Sequence, residues 1–200
     1  MKEKISTSRK KEIIEGFYQL SVINGLENTS IAKIGKHLDM PPSLIMHYFP
    51  TREILISNLI DYILEKYLLI YQPITKQLEE LGQVDLTVIV ETLFSRNWNL
   101  LFDDGVYYSC FALIFRNEKI KTEYRILHYK LRESLKDILD GSPEMEGKDT
   151  AMLAEQVFVV VEGAYFYLSM VDDPADYDTK VAYFKNQVYA LLRSSEVEKL

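Results

Sequence analysis

The stretch from Thr29 to Arg52, T-S-I-A-K-I-G-K-H-L-D-M-P-P-S-L-I-M-H-Y-F-P-T-R, constrains this chain most. It predicts two short helices joined by a tight turn, followed by the start of a third. Thr29 suits the cap of the first, where its hydroxyl can accept a backbone N–H of the first turn. Ile31, Ile34 and Leu38 recur at i, i+3 and i+7 and give that helix one buried stripe. Asp39-Met40-Pro41-Pro42 then breaks it. Asp tolerates the left-handed conformation better than most residues, and the first proline biases Met40 away from the helical region. Pro42 suits the first position of a new helix, where its missing N–H costs nothing. Leu44, Ile45 and Phe49 pack the second helix onto the first, and Ser43, His47 and Tyr48 face outward. A helix, a short turn and a second helix crossing it is the helix-turn-helix plan, whose second helix enters the DNA major groove.

With the following Glu53-Ile54-Leu55, this stretch resembles the N-terminal signature of the TetR family of bacterial transcriptional regulators. The shared pattern is a Thr cap, an Ile-Ala helix, a turn, a short helix ending in His-Tyr-Phe, and a basic residue and Leu at the start of the next helix. Arg9, Ile13, Phe17 and Gly25 match the family's first helix and its exit, so the resemblance covers about Ser6 to Asp61. The chain departs from the pattern at Asp39, where the family usually has Gly, and at Pro41, where it usually has Ser. It departs again at Met46, where Tyr is often found. The resemblance implies a homodimeric regulator, most often a repressor, that binds a palindromic operator and pairs through its last two helices. A small-molecule effector in the helical body is implied with it. The rival is a DNA-binding organiser whose body docks a protein partner.

Charge is unevenly placed. The chain carries −7 overall, which argues against a nonspecific nucleic-acid binder. Residues 1–52 hold eight basic and five acidic residues, or +3, against 15 basic and 25 acidic in the rest, or −10. A basic head on an acidic body directs a polyanion to the head alone. One cysteine, Cys110, excludes an internal disulfide and suits a reducing compartment. The basic N-terminus lacks the apolar run of a signal peptide. The longest apolar-rich run, Val157 to Val171, is interrupted by Glu162 and is short for a membrane span. A cytoplasmic protein is expected.

The rest of the chain reads as helix, giving an all-α fold of about nine helices. The first runs from about Thr7 to Asn24, with Gly25 just past its end. Thr51 caps a fourth that reaches about Gln72 before Pro73. Asp85 caps a segment to about Phe102, and Val106 to Arg116 follows a turn at Asp103-Asp104-Gly105. Asn117 caps a helix to about Leu139, Asp149 one to about Val171, and Pro174 opens a last one to about Arg193. Two domains are expected: a helix-turn-helix DNA-binding domain at 6–66 and an effector-binding and dimerisation domain at 67–200.

Nothing in the sequence points to catalysis, a cofactor or a metal. It has no Gly-rich phosphate loop, G-x-S-x-G or H-E-x-x-H, and its three histidines are scattered. In the head, Thr29 and the free N–H groups at its helix start are expected to hold a phosphate. Arg52 and Tyr48 add phosphate contacts, and Lys33 is either another or solvated surface. Ser43, Leu44 and His47 are best placed for base edges. Ser30 and Pro42, at the two helix starts, complete the DNA-facing set. In the body, Glu91, Phe94, Trp98, Phe111, Phe115, His128, Glu162, Tyr165 and Phe166 are candidate effector contacts. They suggest an aromatic or lipophilic cation, since the rings supply apolar and cation–π surface and the acids favour positive charge. Glu162 admits three readings: a core pair, a seam residue or a ligand contact. The penultimate helix is apolar nearly all round, and the last carries its own apolar set, so Val157, Val161, Phe184, Val188 and Leu191 are candidate dimer contacts.

Overall fold

The computed structural model describes residues 2–95 and 101–194, with side chains from residue 7 onward. The described residues form ten α-helices: α1 (Lys2–Asn24), α2 (Ile31–Leu38), α3 (Pro42–Tyr48), α4 (Arg52–Leu68), α5 (Gln72–Leu81), α6 (Leu86–Leu93), α7 (Asp104–Phe111), α8 (Glu118–Asp140), α9 (Thr150–Leu168) and α10 (Pro174–Arg193). Short 3-10 turns occupy Leu69–Tyr71, Ala112–Phe115 and Pro143–Met145, and no strand occurs among the described residues. The all-α reading holds.

The expected caps Thr51, Asp85, Asn117 and Asp149 are in place, and Asp103 and Asp173 cap two further helices. The side chains of Asp85, Asp103, Asp149 and Asp173 accept the N–H of Thr87, Val106, Met152 and Asp176. Asn117 Oδ1 accepts from Lys119 and Ile120 at 3.0 and 3.2 Å, and Thr51 Oγ1 accepts from Ile54 at 3.3 Å. Three boundaries differ from expectation. α1 starts at Lys2, because nothing from Lys2 to Ser6 breaks a helix. α4 stops at Leu68 and tightens into the Leu69–Tyr71 turn. Pro73 has no N–H for the Leu69 carbonyl, and its ring crowds that oxygen, so the helix cannot run through. α6 ends at Leu93, with Phe94 as its C-cap, short of Phe102.

Packing divides the chain into two units. The first joins Met1–Tyr67 to Asn99–Ile126, and the second joins Leu68–Trp98 to Leu127–Leu200. In the first, Ile13, Phe17, Ile34, Ile45, Phe49, Leu55 and Leu59 are fully buried. Each such side chain contributes about 1.5–3 kcal/mol by leaving water. An aromatic group extends this core, with Tyr67 stacked on Phe102 at 5.2 Å and the Tyr124 hydroxyl donating to the Tyr107 carbonyl. Segment 99–126 is tied to the first unit by two further hydrogen bonds. The Asp103 N–H donates to the Tyr18 hydroxyl at 2.6 Å, and the buried Ser57 hydroxyl donates to the Glu123 carboxylate.

In the second unit α9 packs on α10, α10 on α6, and α6 on α5. Its core takes Ile74, Ile89, Leu93, Leu131, Leu135, Leu153, Val157, Val161, Val188 and Leu192. α9 is long and apolar enough by composition to cross a membrane. One side of it, from Leu153 through Val157 and Val161 to Leu168, is buried in the unit's own core.

Candidate nucleic-acid interface

The reading head is built from α2, α3 and the start of α4. The cap of α2 is Ser30 rather than Thr29: the Ser30 hydroxyl accepts the Lys33 N–H at 3.3 Å from an extended backbone. Thr29 is wholly buried, and its hydroxyl donates to the Gly25 carbonyl at 2.9 Å. Its side chain therefore cannot meet a phosphate. Thr29, one position before the cap, is a cap former like Ser30, and only burial separates the two.

The turn depends on two residues. Asp39 stands at φ 51°, ψ 44°, the left-handed region in which the sequence placed it. Gly35 allows the chain to fold back, since the Met40 N–H reaches the Gly35 carbonyl at 2.8 Å and a Cβ on Gly35 would lie 2.6 Å from the Met40 carbonyl oxygen. Sequence reasoning missed Gly35. The available signal was a glycine inside a helical pattern, which marks a close backbone approach when it is retained at a helix's cost in stability.

Pro42 opens α3, and its inward side chains, Ile45 and Phe49, are buried against the head. Pro42, Ser43, Met46 and His47 are exposed, with Leu44 and Tyr48 half-buried. The His47 ring meets Tyr48 edge-on at 5.3 Å. The candidate base-reading residues thus lie on one helix whose back is held by packing. Lys33 is exposed, and its Nζ donates to the Asn28 carbonyl at 2.8 Å.

Arg52 has another task than the expected phosphate contact. Its guanidinium donates to the Thr29 carbonyl at 2.7 Å and the Leu26 carbonyl at 2.5 Å. It clamps the α1–α2 connection onto the start of α4. The fork of an arginine suits two neighbouring carbonyls, and a helix start near a loop end places it there.

The described candidate effector residues fall in both units. Phe111 and Phe115 belong to the first unit, and Phe115 is 79% exposed. The other described ones lie in the second unit. Phe94 is buried and stacks on Tyr165 at 6.1 Å, and the Tyr165 hydroxyl donates to the Leu93 carbonyl. Glu91 is exposed and paired with Lys185 at 2.6 Å, so a neighbouring cation already meets its charge. His128 lies edge-on to Phe158, and burial, helped by Arg132, lowers its pKa. Glu162 is half-buried, and after burial it is its charge that raises the phenol of buried Tyr71. Phe166 is exposed, and Trp98 lies outside the described residues.

The candidate dimer residues divide. Val157, Val161 and Val188 are buried inside their own subunit and are core, not seam. Phe184 and Leu191 are half-buried. The outward stripe of α9 carries Met152, Val159 and Phe166, spaced by seven residues; Met170 is exposed in the turn after α9, and Tyr183 is exposed on α10. The sequence pattern called α9 apolar all round but could not say which side its own subunit takes.

The family domain described as "Tetracyclin repressor-like, C-terminal domain" matches residues 82–194, more than half of the chain. Over 165 residues the chain is 26% identical to the nucleoid occlusion factor SlmA of Vibrio campbellii, covering 79% of this chain and 82% of that protein. Among solved structures, it is similar to a TetR transcription regulator from Haloarcula marismortui, with TM-score 0.72, 14% identity and coverage of 93% and 97% of the two chains. It is also similar to a transcriptional regulator from Saccharomonospora viridis solved in complex with choline, with TM-score 0.68, 15% identity and coverage of 96% and 100%. At these identities the structural likeness shows the fold. The matching C-terminal domain, the helix-turn-helix head and the shared fold agree: this chain belongs to the TetR family of transcriptional regulators.

Proposed function

We propose that the protein is a homodimeric transcriptional repressor that binds a palindromic operator and releases it when the body takes up a small molecule. The observation that carries the reading is α3, which offers Pro42, Ser43 and His47 outward from a helix fixed by buried Ile45 and Phe49. Residues 6–66 act as the reading head and 67–200 as the effector and dimerisation body. Ser30, Lys33 and Tyr48 flank α3's reading face and serve the DNA backbone, while Leu44 joins the base-facing set. The protein works in the cytoplasm, where its operator lies. Dimerisation uses the Met152, Val159 and Phe166 stripe with Tyr183, since an exposed apolar stripe at heptad spacing fits a partner helix. The effector is an aromatic or lipophilic cation. The choline-bound neighbour supports a cation.

Enrichment of a random duplex pool on the purified protein, followed by footprinting, tests the reading. A protected palindrome with half-sites about one helical turn apart, or a multiple, is expected. Failure to enrich any two-fold symmetric site counts decisively against it.

A second reading has the body dock a protein instead of a small molecule. The likeness to nucleoid occlusion factors favours it. A thermal-shift screen of lipophilic cations and neutral aromatics, with operator release as the second readout, separates the two. Hits that release the operator support the effector, and hits that stabilise the protein without release support docking.

A further inference from the structure

The reading face of α3 contains one residue that the polar contacts of its neighbours do not explain. Met46 is 51% exposed. Among the described residues of α2 and α3 it is the one large apolar side chain exposed to that extent. It follows Pro42 by four residues and Ser43 by three, so all three share a helical face, and His47 follows Ser43 by four. The chain thus presents an apolar side chain beside a hydroxyl and an imidazole on one exposed face. Ile45 and Phe49 already fill the interior side of the helix, and packing does not draw Met46 inward.

The chemistry of the major groove narrows what such a residue can recognise. Guanine, cytosine and adenine present donors and acceptors there, whereas thymine adds a methyl group. A thioether has no hydrogen to donate and accepts only weakly, so Met46 cannot read a donor–acceptor pattern. It can cover a methyl. Its unbranched, polarisable side chain also adapts to a groove wall at little steric cost. Ser43 and His47 supply the hydrogen bonds beside it.

We propose that Met46 is a specificity-determining residue that reads the 5-methyl group of one thymine in each operator half-site. The assignment rests on the DNA-reading role of α3 and goes beyond it by naming the base and the group recognised. It predicts a T·A pair next to positions that Ser43 and His47 read by hydrogen bonding.

The test uses the full-length protein and the duplex enriched from a random pool. Each thymidine of that duplex is replaced in turn by deoxyuridine, which removes only the methyl group. One replacement per half-site is expected to weaken wild-type binding about three- to tenfold, in keeping with the loss of one apolar contact. Met46→Ala binds the unmodified duplex more weakly by a similar factor and is indifferent to that replacement, while Met46→Leu keeps the sensitivity. Because Met46 is half exposed, Met46→Ala keeps the wild-type unfolding midpoint, which separates lost reading from lost folding. An enriched palindrome whose binding ignores every replacement, or a Met46→Ala protein as sensitive as the wild type, overturns this assignment alone. Failure to enrich any duplex overturns the DNA reading together with it.

Discussion

Two residues carry consequences that can be measured singly. Arg52 holds the Leu26 and Thr29 carbonyls, and hydrogen bonds from a charged donor contribute about 1.5–3 kcal/mol when partly shielded from water. Arg52→Ala is therefore expected to lower the unfolding free energy by roughly 2 kcal/mol. It should leave the salt dependence of operator binding unchanged. Denaturant titration and binding across a salt series check both, and a slope reduced by about one unit would return Arg52 to phosphate contact. His128 titrates in the opposite sense to a paired histidine. Burial and Arg132 lower its pKa, so the folded protein binds fewer protons there than the unfolded chain. The contribution to stability is full above the ordinary histidine pKa and is lost as pH falls from there towards the depressed folded value. Denaturant midpoints measured from pH 7.5 down to 5.5 should fall, and His128→Phe should flatten that part of the decline.

At the scale of elements, α9 has one buried face and one exposed face. Val157, Val161 and Val188 of the α9–α10 pair are closed inside the subunit, whereas Val159 is 61% exposed. Val188→Glu places an unpaired charge in a packed core and is expected to cost about 4 kcal/mol or more, so the subunit itself fails to fold. Val159→Glu leaves the fold and its circular dichroism intact but lowers association, and with it operator affinity. Sedimentation combined with thermal unfolding distinguishes them. A Val159→Glu protein that remains dimeric would move the seam to another surface.

Across the whole molecule, charge decides where a polyanion can approach. Residues 1–52 carry +3 against −10 for the rest of the chain, so a polyanion is favoured at 1–52 over the rest. Raising salt from about 50 to 200 mM should weaken operator binding at least tenfold, because each neutralised phosphate releases counterions. Random duplex should be bound only weakly at the upper value. Operator affinity indifferent to salt would remove the phosphate contribution from the head altogether.

The head was legible in the sequence because its signals are local. A cap former, an i, i+3, i+7 stripe, Asp39 in the turn and Pro42 at a helix start each act within a few residues, and each fixes a backbone feature by sterics or a single hydrogen bond. Most helix boundaries in the body followed from Asp and Asn caps for the same reason. What only the tertiary structure decided is ownership and employment. Thr29 and Ser30 are equivalent cap formers until one is buried. Arg52 is a basic residue on a DNA-binding head until two carbonyls from another segment occupy its guanidinium. Val157 and Val159 are both apolar residues of an apolar helix, and which one faces the subunit depends on where α10 lies. Periodicity records that a side must be covered, but the covering surface comes from residues distant in the chain, and no local pattern can name it.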